Sequence, residues 1–170
     1  MKEKSEGLAS VCIGKRGCGK TTLSKALLDR RPKGMPVLIY DVNAEYQYYY
    51  AEKLEPFESF LTKISDDKIE RHYILIEEAT IFFSTHSRFE EMMNVLVRAR
   101  HTGNIIQLNF HSFASVPKNI YHLLDYVTVF KTNDMDKDVQ DRFDNPRVLA
   151  AFQEARDSRD IHFYRTVKLY

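Results

Sequence analysis

A glycine-rich octapeptide near the amino terminus restricts the fold more than any other feature of this sequence. Residues 14–21 read Gly-Lys-Arg-Gly-Cys-Gly-Lys-Thr and match the pattern GxxxxGK[ST] at every fixed position. An apolar run, residues 8–13, precedes the octapeptide, and apolar residues at helical spacing follow it over residues 20–30. A glycine loop between a strand and a helix is typical of a parallel α/β sheet that binds phosphate.

The chemistry of this loop suits a nucleoside triphosphate. Glycines let successive backbone N–H groups point inward at an anion, and the helix that follows adds the positive end of its dipole. Lys20 can reach the β- and γ-phosphates, and the Thr21 hydroxyl can ligate Mg²⁺. A chance glycine turn with a surface lysine is the alternative. We expect ATP and Mg²⁺ as cofactors, with nucleotide contacts from Gly14, Arg16, Gly17, Cys18, Gly19, Lys20, Thr21 and Thr22.

The rest of the chain alternates strand-like with helix-like segments. Further strands are predicted at residues 37–40, 72–76, 105–110 and 126–130, with a last, edge-type strand at 162–169. Helices are predicted at 55–64, from 89 to about 103, at 117–124, and as two surface helices within 133–160 that break near Pro146. The fold class is therefore α/β, a mostly parallel sheet flanked by helices, in a single domain over residues 1–170.

Two adjacent carboxylates end one of the predicted strands. Glu77 and Glu78 follow the apolar run Ile74-Leu75-Ile76. Ligands of open α/β sheets sit at the carboxyl ends of the strands, so both acids are expected near the glycine loop. We expect Glu77 to help hold Mg²⁺, directly or through water, and Glu78 to polarise an attacking water. The alternative is two solvated glutamates at the start of a helix.

Composition excludes several classes of protein. The 170 residues include 25 Lys plus Arg and 24 Asp plus Glu, a net charge of +1, and 44% are hydrophobic. Disordered and low-complexity chains are excluded, and a surface coated with Lys and Arg is not expected, although a small basic patch is compatible. Cys12 and Cys18 are too few for a disulfide framework, and no apolar run approaches the ~20 residues that span a bilayer. We expect a reducing, cytoplasmic compartment and no membrane segment.

Two further features have more than one interpretation. Cys18 lies at a helix N-terminus, where a thiol can have a lowered pKa, so sensitivity of this cysteine to oxidation is a hypothesis. Residues 46–50 read Tyr-Gln-Tyr-Tyr-Tyr. These rings could stack on bases or on an adenine ring, but packing at a domain edge or subunit contact is the interpretation that we favour.

Three stretches beyond the glycine loop resemble one family of proteins. Residues 73–79 (YILIEEA) resemble the family's strand followed by DEA, and residues 97–103 (VRARHTG) resemble its RH-x-G segment. Residues 105–131 resemble its fourth strand, polar sensor, short helix and fifth strand, with Asp125 before the last apolar run. The chain is thus similar to the additional-strand, catalytic-glutamate P-loop ATPases with a RecA-like core. Within them it resembles the FtsK/HerA branch of DNA translocases, and there the small viral genome-packaging ATPases. The likeness covers residues 8–131.

The resemblance implies roles for two further residues. Arg100 matches the position of an arginine finger that enters a neighbouring subunit's site, with Arg98 as the alternative. The alternative is that Arg100 only complements the helix dipole at the C-terminal end of its helix. The family's γ-phosphate sensor, commonly Gln, corresponds to His111, and Asn109 is the alternative.

The resemblance implies an ATP-hydrolysing motor that translocates or packages double-stranded DNA. Its partners would be double-stranded DNA contacted through pore loops, further copies of this chain in a ring, and a capsid vertex or portal protein. The expected location is the host cytoplasm or, if the protein is viral, the virion. A nucleotide-driven phage assembly or export factor like the zonula-occludens-toxin-like proteins is the alternative. A small nucleotide kinase is a third candidate, with Arg142, Arg147, Arg156 and Arg159 as its lid.

Overall fold

One sheet runs through the chain, and its strands follow the apolar runs of the sequence. The computed structural model describes residues 7–47, 49, 52–53, 56–66 and 68–170. In these ranges the strands are β1 (Leu8–Ile13), β2 (Val37–Tyr40), β3 (Glu52–Lys53), β4 (Tyr73–Ile76), β5 (Ile105–Phe110), β6 (Tyr126–Phe130) and β7 (Tyr164–Lys168). They form a seven-stranded sheet in the order β3-β2-β4-β5-β1-β6-β7. The first six strands are parallel, and β7 is antiparallel to β6 at the edge.

Helices cover both faces of this sheet, unequally. They are α1 (Lys20–Asp29), α2 (Phe57–Ser65), α3 (His86–Thr102), α4 (Asp136–Arg142) and α5 (Pro146–Asp157), with short 3₁₀ segments at Ala79–Phe83, Phe113–Ser115 and Lys118–Leu123. Apolar side chains of α2, α3, α4 and α5 pack with one face of the sheet in the larger core. A smaller core joins α1 to β2 and β4 on the other face. The sheet is therefore sandwiched between helices, as predicted.

The face that α1 covers is left partly open towards β7. On β7, Tyr164, Thr166 and Lys168 are all exposed. Thr166 faces Thr128 of β6, with 2.9 Å between the two Oγ1 atoms. Beside α1, the edge formed by β6 and β7 borders an open cavity.

The buried face of helix α3 is shifted from the one that the sequence suggests. Helical spacing places Phe89, Met92, Met93, Leu96 and Val97 on one apolar face, whereas the buried residues are Met92, Val95, Leu96 and Ala99. Val97 is 52% exposed, so the predicted stripe was rotated by part of a turn. The ends match the prediction: the Thr85 side chain caps the first turn, and Gly103 ends the helix at a φ of 68°.

Four other segments differ from the prediction. β3 was not predicted, and it has only two residues, too few for a periodic signal. Residues 118–123 form a 3₁₀ helix after Pro117. The helix predicted from residue 55 begins at Phe57, and residue 55 lies outside the described residues. Helix α5 is not simply a surface helix, because it buries Val148, Ala151, Phe152 and Ala155.

Candidate active site

The glycine loop follows β1 at the carboxyl edge of the sheet and is tied to both neighbouring strands. The Gly14 N–H donates to the Phe110 carbonyl at the end of β5, 3.1 Å away, and the Lys15 N–H donates to the Lys131 carbonyl after β6, 3.0 Å away. These two bonds hold the start of the loop between strands β5 and β6. The loop is therefore fixed by the sheet before any ligand binds.

Two glycines of the loop are required by its geometry. Gly19 has a φ of 103°, which side chains rarely tolerate. At Gly14 the constraint is space, since a Cβ there would lie 2.5 Å from the Phe130 Cβ and 2.6 Å from the Cys18 Sγ. The loop thus packs directly on β6, and larger residues at either position would displace it.

Lys20 lies inside the loop. Its Nζ donates to the Gly14 carbonyl at 2.5 Å and to the Lys15 carbonyl at 3.2 Å, and the residue is buried. This amine is held on loop carbonyls close to where the loop's N–H groups would receive a phosphate. Around it Arg16 and Gly17 are exposed, and Thr22 is exposed on the first turn of α1.

Cys18 is buried in the loop, and the hypothesis of a reactive thiol is not supported. Burial raises the pKa of the Cys18 thiol above its ordinary value, and this effect exceeds the lowering by Lys20. A thiol with a raised pKa is less often a thiolate at neutral pH, so it is a poor nucleophile. Cys18 fills space beneath the loop.

Glu45 is a third carboxylate at this edge, and the sequence analysis missed it. The Thr21 hydroxyl donates to the Glu45 carboxylate at 2.9 Å. The turn that carries Glu45 is held by Asp41, whose carboxylate accepts the N–H groups of Glu45 at 2.9 Å and Tyr46 at 3.0 Å. An Asp that follows a buried strand and precedes a turn was the available signal.

Glu77 is buried, and two donors orient its carboxylate. Tyr46 donates its hydroxyl proton to Oε1 of Glu77, and the Asn109 amide donates to the same oxygen at 2.8 Å. Burial raises the pKa of the Glu77 carboxyl above its ordinary value. Among the described residues both donors bind Oε1, and a metal ion or its water would approach Oε2.

Glu78 adopts an unusual backbone conformation that turns it towards β5. Its φ is 54°, in the left-handed region where few residues other than glycine occur. Glu78 lies two residues after the end of β4 and is the N-cap of the 3₁₀ segment Ala79–Phe83. Its Oε1 lies 2.5 Å from Nε2 of His111, the residue that follows β5. The two residues predicted for water activation and phosphate sensing are therefore neighbours.

A buried polar network lies behind these acids. Asn109 and Gln107 on β5 both donate to the Ser24 hydroxyl of α1, at 3.1 and 2.7 Å. Gln107 in turn accepts a hydrogen bond of 2.7 Å from the Tyr73 hydroxyl. Asn109 is thus engaged with Ser24 and Glu77, whereas His111 is exposed at the edge. Of the two candidate sensors, His111 is the more accessible to a phosphate.

Arg100 and Arg98 lie away from this site. Asp125 precedes β6 and exchanges backbone and side-chain hydrogen bonds with Ala9 near the start of β1, which is the amino edge of the sheet. The Arg100 guanidinium donates to the Asp125 carboxylate there, at 2.7 Å. Arg98 donates to the Ser65 carbonyl at the end of α2, at 2.8 Å. Arg100 is exposed and Arg98 is half-buried.

The residues at the carboxyl edge fit Mg²⁺ by donor type. Thr21, Glu45 and Glu77 offer oxygen atoms, which this hard cation prefers, and Mg²⁺ usually takes few protein ligands beside water and substrate phosphates. Within the described ranges, no group of three or more His, Cys, Asp or Glu is arranged to hold a metal ion. Bound Mg²⁺ would supply positive charge that neutralises the phosphate oxygens.

The two described tyrosines of the run after β2, Tyr46 and Tyr49, contribute to packing and support. Tyr46 is fully buried under Glu77. Tyr49 is half-buried, and its hydroxyl lies 3.3 Å from the Lys25 carbonyl. Residues 48 and 50 lie outside the described residues.

Among the described helices, none is both long and apolar enough to cross a membrane.

Comparison with known proteins identifies the fold. No protein-family model matches the sequence, and no curated protein is significantly similar to it. The DNA-packaging ATPase B204 of Sulfolobus turreted icosahedral virus is similar in structure at 16% identity, with a TM-score of 0.77 over 97% of this chain and 94% of B204. The genome packaging NTPase B204 of Sulfolobus turreted icosahedral virus 2, in complex with AMPPCP, matches at 16% identity and a TM-score of 0.74, over 98% and 94% of the two chains.

A third solved structure shares a smaller part of the fold. The N-terminal domain of zonular occludens toxin from Neisseria meningitidis matches at 15% identity and a TM-score of 0.56, over 76% of this chain and 80% of that domain. At such identities the likeness concerns the fold alone. The predicted fold is confirmed: this chain has the mostly parallel, helix-flanked α/β fold of the packaging NTPases.

Proposed function

We propose that this protein is an ATPase that hydrolyses ATP to ADP and phosphate and uses the energy to move double-stranded DNA. The observation that carries the proposal is the meeting of the glycine loop and Lys20 with the strand-end carboxylates of Glu77 and Glu78 at one edge of the sheet. The similarity to DNA-packaging ATPase B204 over nearly the whole of both chains supports a packaging role.

The site residues divide the reaction between them. Lys20 and the N–H groups of residues 16–22 bind the phosphates, because those of Gly14 and Lys15 already donate to carbonyls of the neighbouring strands. Thr21 with Glu77 would hold Mg²⁺. Glu78 accepts a proton from a water whose oxygen attacks the γ-phosphorus, and the bond from that phosphorus to the bridging oxygen of ADP breaks. His111, paired with Glu78 at rest, is suited to exchange that contact for one with the γ-phosphate.

We infer that the site is completed by a second copy of the chain. Arg100 lies at the opposite edge of the sheet from its own glycine loop, where Asp125 holds it, so it cannot serve its own site. In a ring it would enter the neighbour's site as an arginine finger, a device worth ~10³–10⁵ in rate. Pore loops of such a ring would contact DNA, and a capsid vertex or portal protein would hold the ring. This organisation is that of the FtsK/HerA branch.

The rate of ATP hydrolysis with and without double-stranded DNA tests the motor, together with light scattering to measure particle size. We expect DNA to stimulate hydrolysis and the particle to have the mass of a ring. Transfer of phosphate to a nucleoside monophosphate would instead identify a kinase. ATP hydrolysis that DNA never stimulates would contradict the motor and favour an assembly or export factor, for which the similarity to the zonular occludens toxin domain is the supporting observation.

Two substitutions test the catalytic assignment. Glu78→Gln removes the proton acceptor and should keep ATP binding while lowering turnover by roughly 10²–10⁴-fold. Lys20→Ala removes the phosphate-binding amine and should weaken both binding and turnover. Exposed residues on helices supply matched controls, Glu91→Gln and Lys137→Ala. Normal turnover in Glu78→Gln would show that another group activates the water.

A further inference from the structure

A cavity lies at the amino edge of the sheet, at the opposite end of β1 from the glycine loop. Its volume is about 510 Å³, within the ~300–1,000 Å³ of small-molecule sites. The lining consists of Gly7, Arg100, His101, Asp125, Lys168 and Tyr170. Because β1 has six residues, about 20 Å of strand separate the cavity from the loop. Of the lining residues, only Arg100 has a role in the proposed reaction.

Close packing and hydrogen bonds hold the walls of this cavity in place. The last turn of α3 packs so closely on the start of β1 that a Cβ on Gly7 would lie 1.9 Å from the Ala99 carbonyl oxygen. On the other side, the Leu169 N–H donates to the Asp125 carbonyl at 2.9 Å. The Arg147 guanidinium donates to the Leu169 carbonyl at 3.2 Å. The ends of α3 and β7 are therefore both fixed at this edge before any partner binds.

Cations outnumber acidic side chains in this cavity. Arg100 and Lys168 are both exposed, and among the described residues Asp125 is the one acidic side chain of the lining. Both oxygens of its carboxylate are in use, because Oδ1 accepts the Arg100 guanidinium at 2.7 Å and Oδ2 accepts the Ala9 N–H at 2.9 Å. Within the described part of the chain, no acidic side chain pairs with Lys168. The cavity therefore presents positive charge that its own side chains do not neutralise.

The carboxyl edge of the sheet complements this charge. It carries the carboxylates of Glu45, Glu77 and Glu78 beside the cations of the glycine loop. Bound ATP would add more negative charge than its Mg²⁺ offsets, so the loaded edge is more negative than the free one. A head-to-tail contact between the amino edge of one copy and the carboxyl edge of the next joins unlike charges, and such contacts build rings when they close. A second copy of this chain is thus the partner that fits the cavity.

Hydrolysis at such an interface offers work for more than one cation. In the transition state, negative charge is spread over the three equatorial oxygens of the transferring phosphoryl group. Lys20 approaches them from the copy that binds ATP, and Arg100 is proposed to approach from the neighbour. Because Lys168 lines the same cavity as Arg100, a phosphoryl group that enters this cavity lies close to both side chains.

We propose that the cavity receives the γ-phosphoryl group of ATP bound to a neighbouring copy, and that Lys168 contacts it there as a second cation beside Arg100. The inference rests on the proposed function, since it needs ATP hydrolysis and a neighbouring copy. Lys168 is too far from its own glycine loop to serve its own site. Its ammonium group forms no covalent bond: water attacks and ADP leaves as described above, while the positive charge stabilises the phosphoryl oxygens.

Steady-state hydrolysis of ATP by the full chain in the presence of DNA tests the role of Lys168. Lys168→Ala should lower kcat by roughly 10²–10³-fold, the cost of removing one donor to a transition-state oxygen. The KM for ATP should not change, because the other copy binds the nucleotide. Lys168→Arg keeps the positive charge and should restore most of the rate. Lys137→Ala, at an exposed lysine outside the cavity, is the matched control.

Two further measurements separate this role from a purely structural one. Light scattering should give Lys168→Ala the same particle mass as the parent, and its affinity for double-stranded DNA should also be unchanged. A smaller particle or weaker binding of DNA would show that Lys168 serves assembly or DNA contact, which would overturn the inference.

Mixing variants shows which copy supplies the lysine. Equimolar Lys168→Ala and Glu78→Gln, co-assembled with DNA, should recover roughly a quarter of the parent rate, because half of the sites keep Glu78 and half of their neighbours keep Lys168. A mixture no faster than Lys168→Ala alone would overturn the inference. If Arg100→Ala lowers kcat and Lys168→Ala does not, Lys168 is not a second cation, and the ATPase proposal still stands. If the parent does not hydrolyse ATP, the proposed function itself is wrong.

Discussion

Glu77 lies in the proposed metal site, and the burial of its charge costs free energy. Its carboxylate is 6% exposed and lies near Lys20, yet burial dominates and raises its pKa. The hydrogen bonds from Tyr46 and Asn109 stabilise the charged Glu77 carboxylate. Its free energy is nevertheless higher in this buried position than in water. In the proposed site, bound Mg²⁺ would offset this cost, and function there would be gained at the expense of the stability of the free protein.

Glu77→Gln should stabilise the free protein and abolish Mg²⁺-dependent hydrolysis. A group with a raised pKa in the folded state contributes most stability below its unfolded pKa, near 4.5, and loses it as pH rises through the folded value. The gain from the substitution should therefore grow from pH 4.5 to pH 7. At pH 7 we expect a melting temperature higher by about 2–4 °C, roughly 1 kcal/mol for a chain of this size.

Thermal melts of the parent, Glu77→Gln and the exposed control Glu91→Gln across this pH range check the expectation. A lower melting temperature for Glu77→Gln than for the parent at pH 7 would show that the two hydrogen bonds outweigh the desolvation of the charge.

Both cysteines should resist alkylation in the folded protein. Burial raises the pKa of Cys12 to about 12 and that of Cys18 above its ordinary value of 9.0. Since the thiolate is the nucleophile, iodoacetamide at pH 8 should label both at least tenfold more slowly than in the urea-unfolded chain. Mass spectrometry of the labelled peptides measures the two rates. Equal rates for Cys18 in both states would restore the hypothesis of a reactive loop thiol.

At the scale of elements, the turn after β2 supports the site although it contributes no phosphate contact. The Asp41 carboxylate holds the N–H groups of Glu45 and Tyr46. From this one turn, Glu45 accepts a hydrogen bond from Thr21 on α1, and Tyr46 donates one to Glu77 after β4. The turn thereby couples the loop helix to the acidic strand end.

Tyr46→Phe should raise the Mg²⁺ concentration needed for half-maximal hydrolysis by roughly 10-fold, within the 10–100-fold typical of residues that orient a metal ligand. The ring keeps its packing, but Glu77 loses one of its two donors. The measurement is a Mg²⁺ titration of hydrolysis at saturating ATP. Tyr49→Phe is the control, because its hydroxyl lies near the Lys25 carbonyl instead. An unchanged Mg²⁺ requirement would contradict the positioning role of Tyr46.

At the scale of the whole molecule, the two edges of the sheet have different tasks. The carboxyl edge carries the glycine loop and the acids, and the amino edge carries Arg100 with Asp125. A single copy cannot bring these edges together without unfolding its sheet. The proposed role of Arg100 as an arginine finger therefore requires another copy's site, and under that proposal assembly is a condition for full activity.

Mixing two inactive variants tests this arrangement. Arg100→Ala retains an intact site but supplies no arginine, and Glu78→Gln supplies the arginine but has no proton acceptor. An equimolar mixture, co-assembled with DNA, should recover roughly a quarter of the parent rate, because half of the sites are intact and half of their neighbours carry Arg100. A mixture no more active than either variant alone would exclude Arg100 as an arginine supplied between subunits. Lys137→Ala in place of Arg100→Ala controls for mixing.

Prediction from the sequence succeeded where the signal is local. Residues 14–21 and the apolar runs that became β1, β2, β4, β5 and β6 could be identified because glycine geometry and burial on both faces each leave a short, continuous pattern. Helix α3 shows the limit, since Met93 and Val97 extend the apolar stripe to one side of the buried residues. Its ends follow from Thr85 and Gly103, but its rotation depends on what packs against it.

The sequence by itself determined the strand-loop-helix unit, the order of elements and the acidic pair after β4. Only the tertiary structure decided how they meet: that Tyr46 supports Glu77 from 31 residues away, that Glu78 turns to His111 across 33 residues, and that the rings of Phe130 and Tyr164 pack 5.1 Å apart. The physical reason is that secondary structure depends on neighbours along the chain. A binding site depends instead on which strands become adjacent, and strand order is set by packing of the whole sheet.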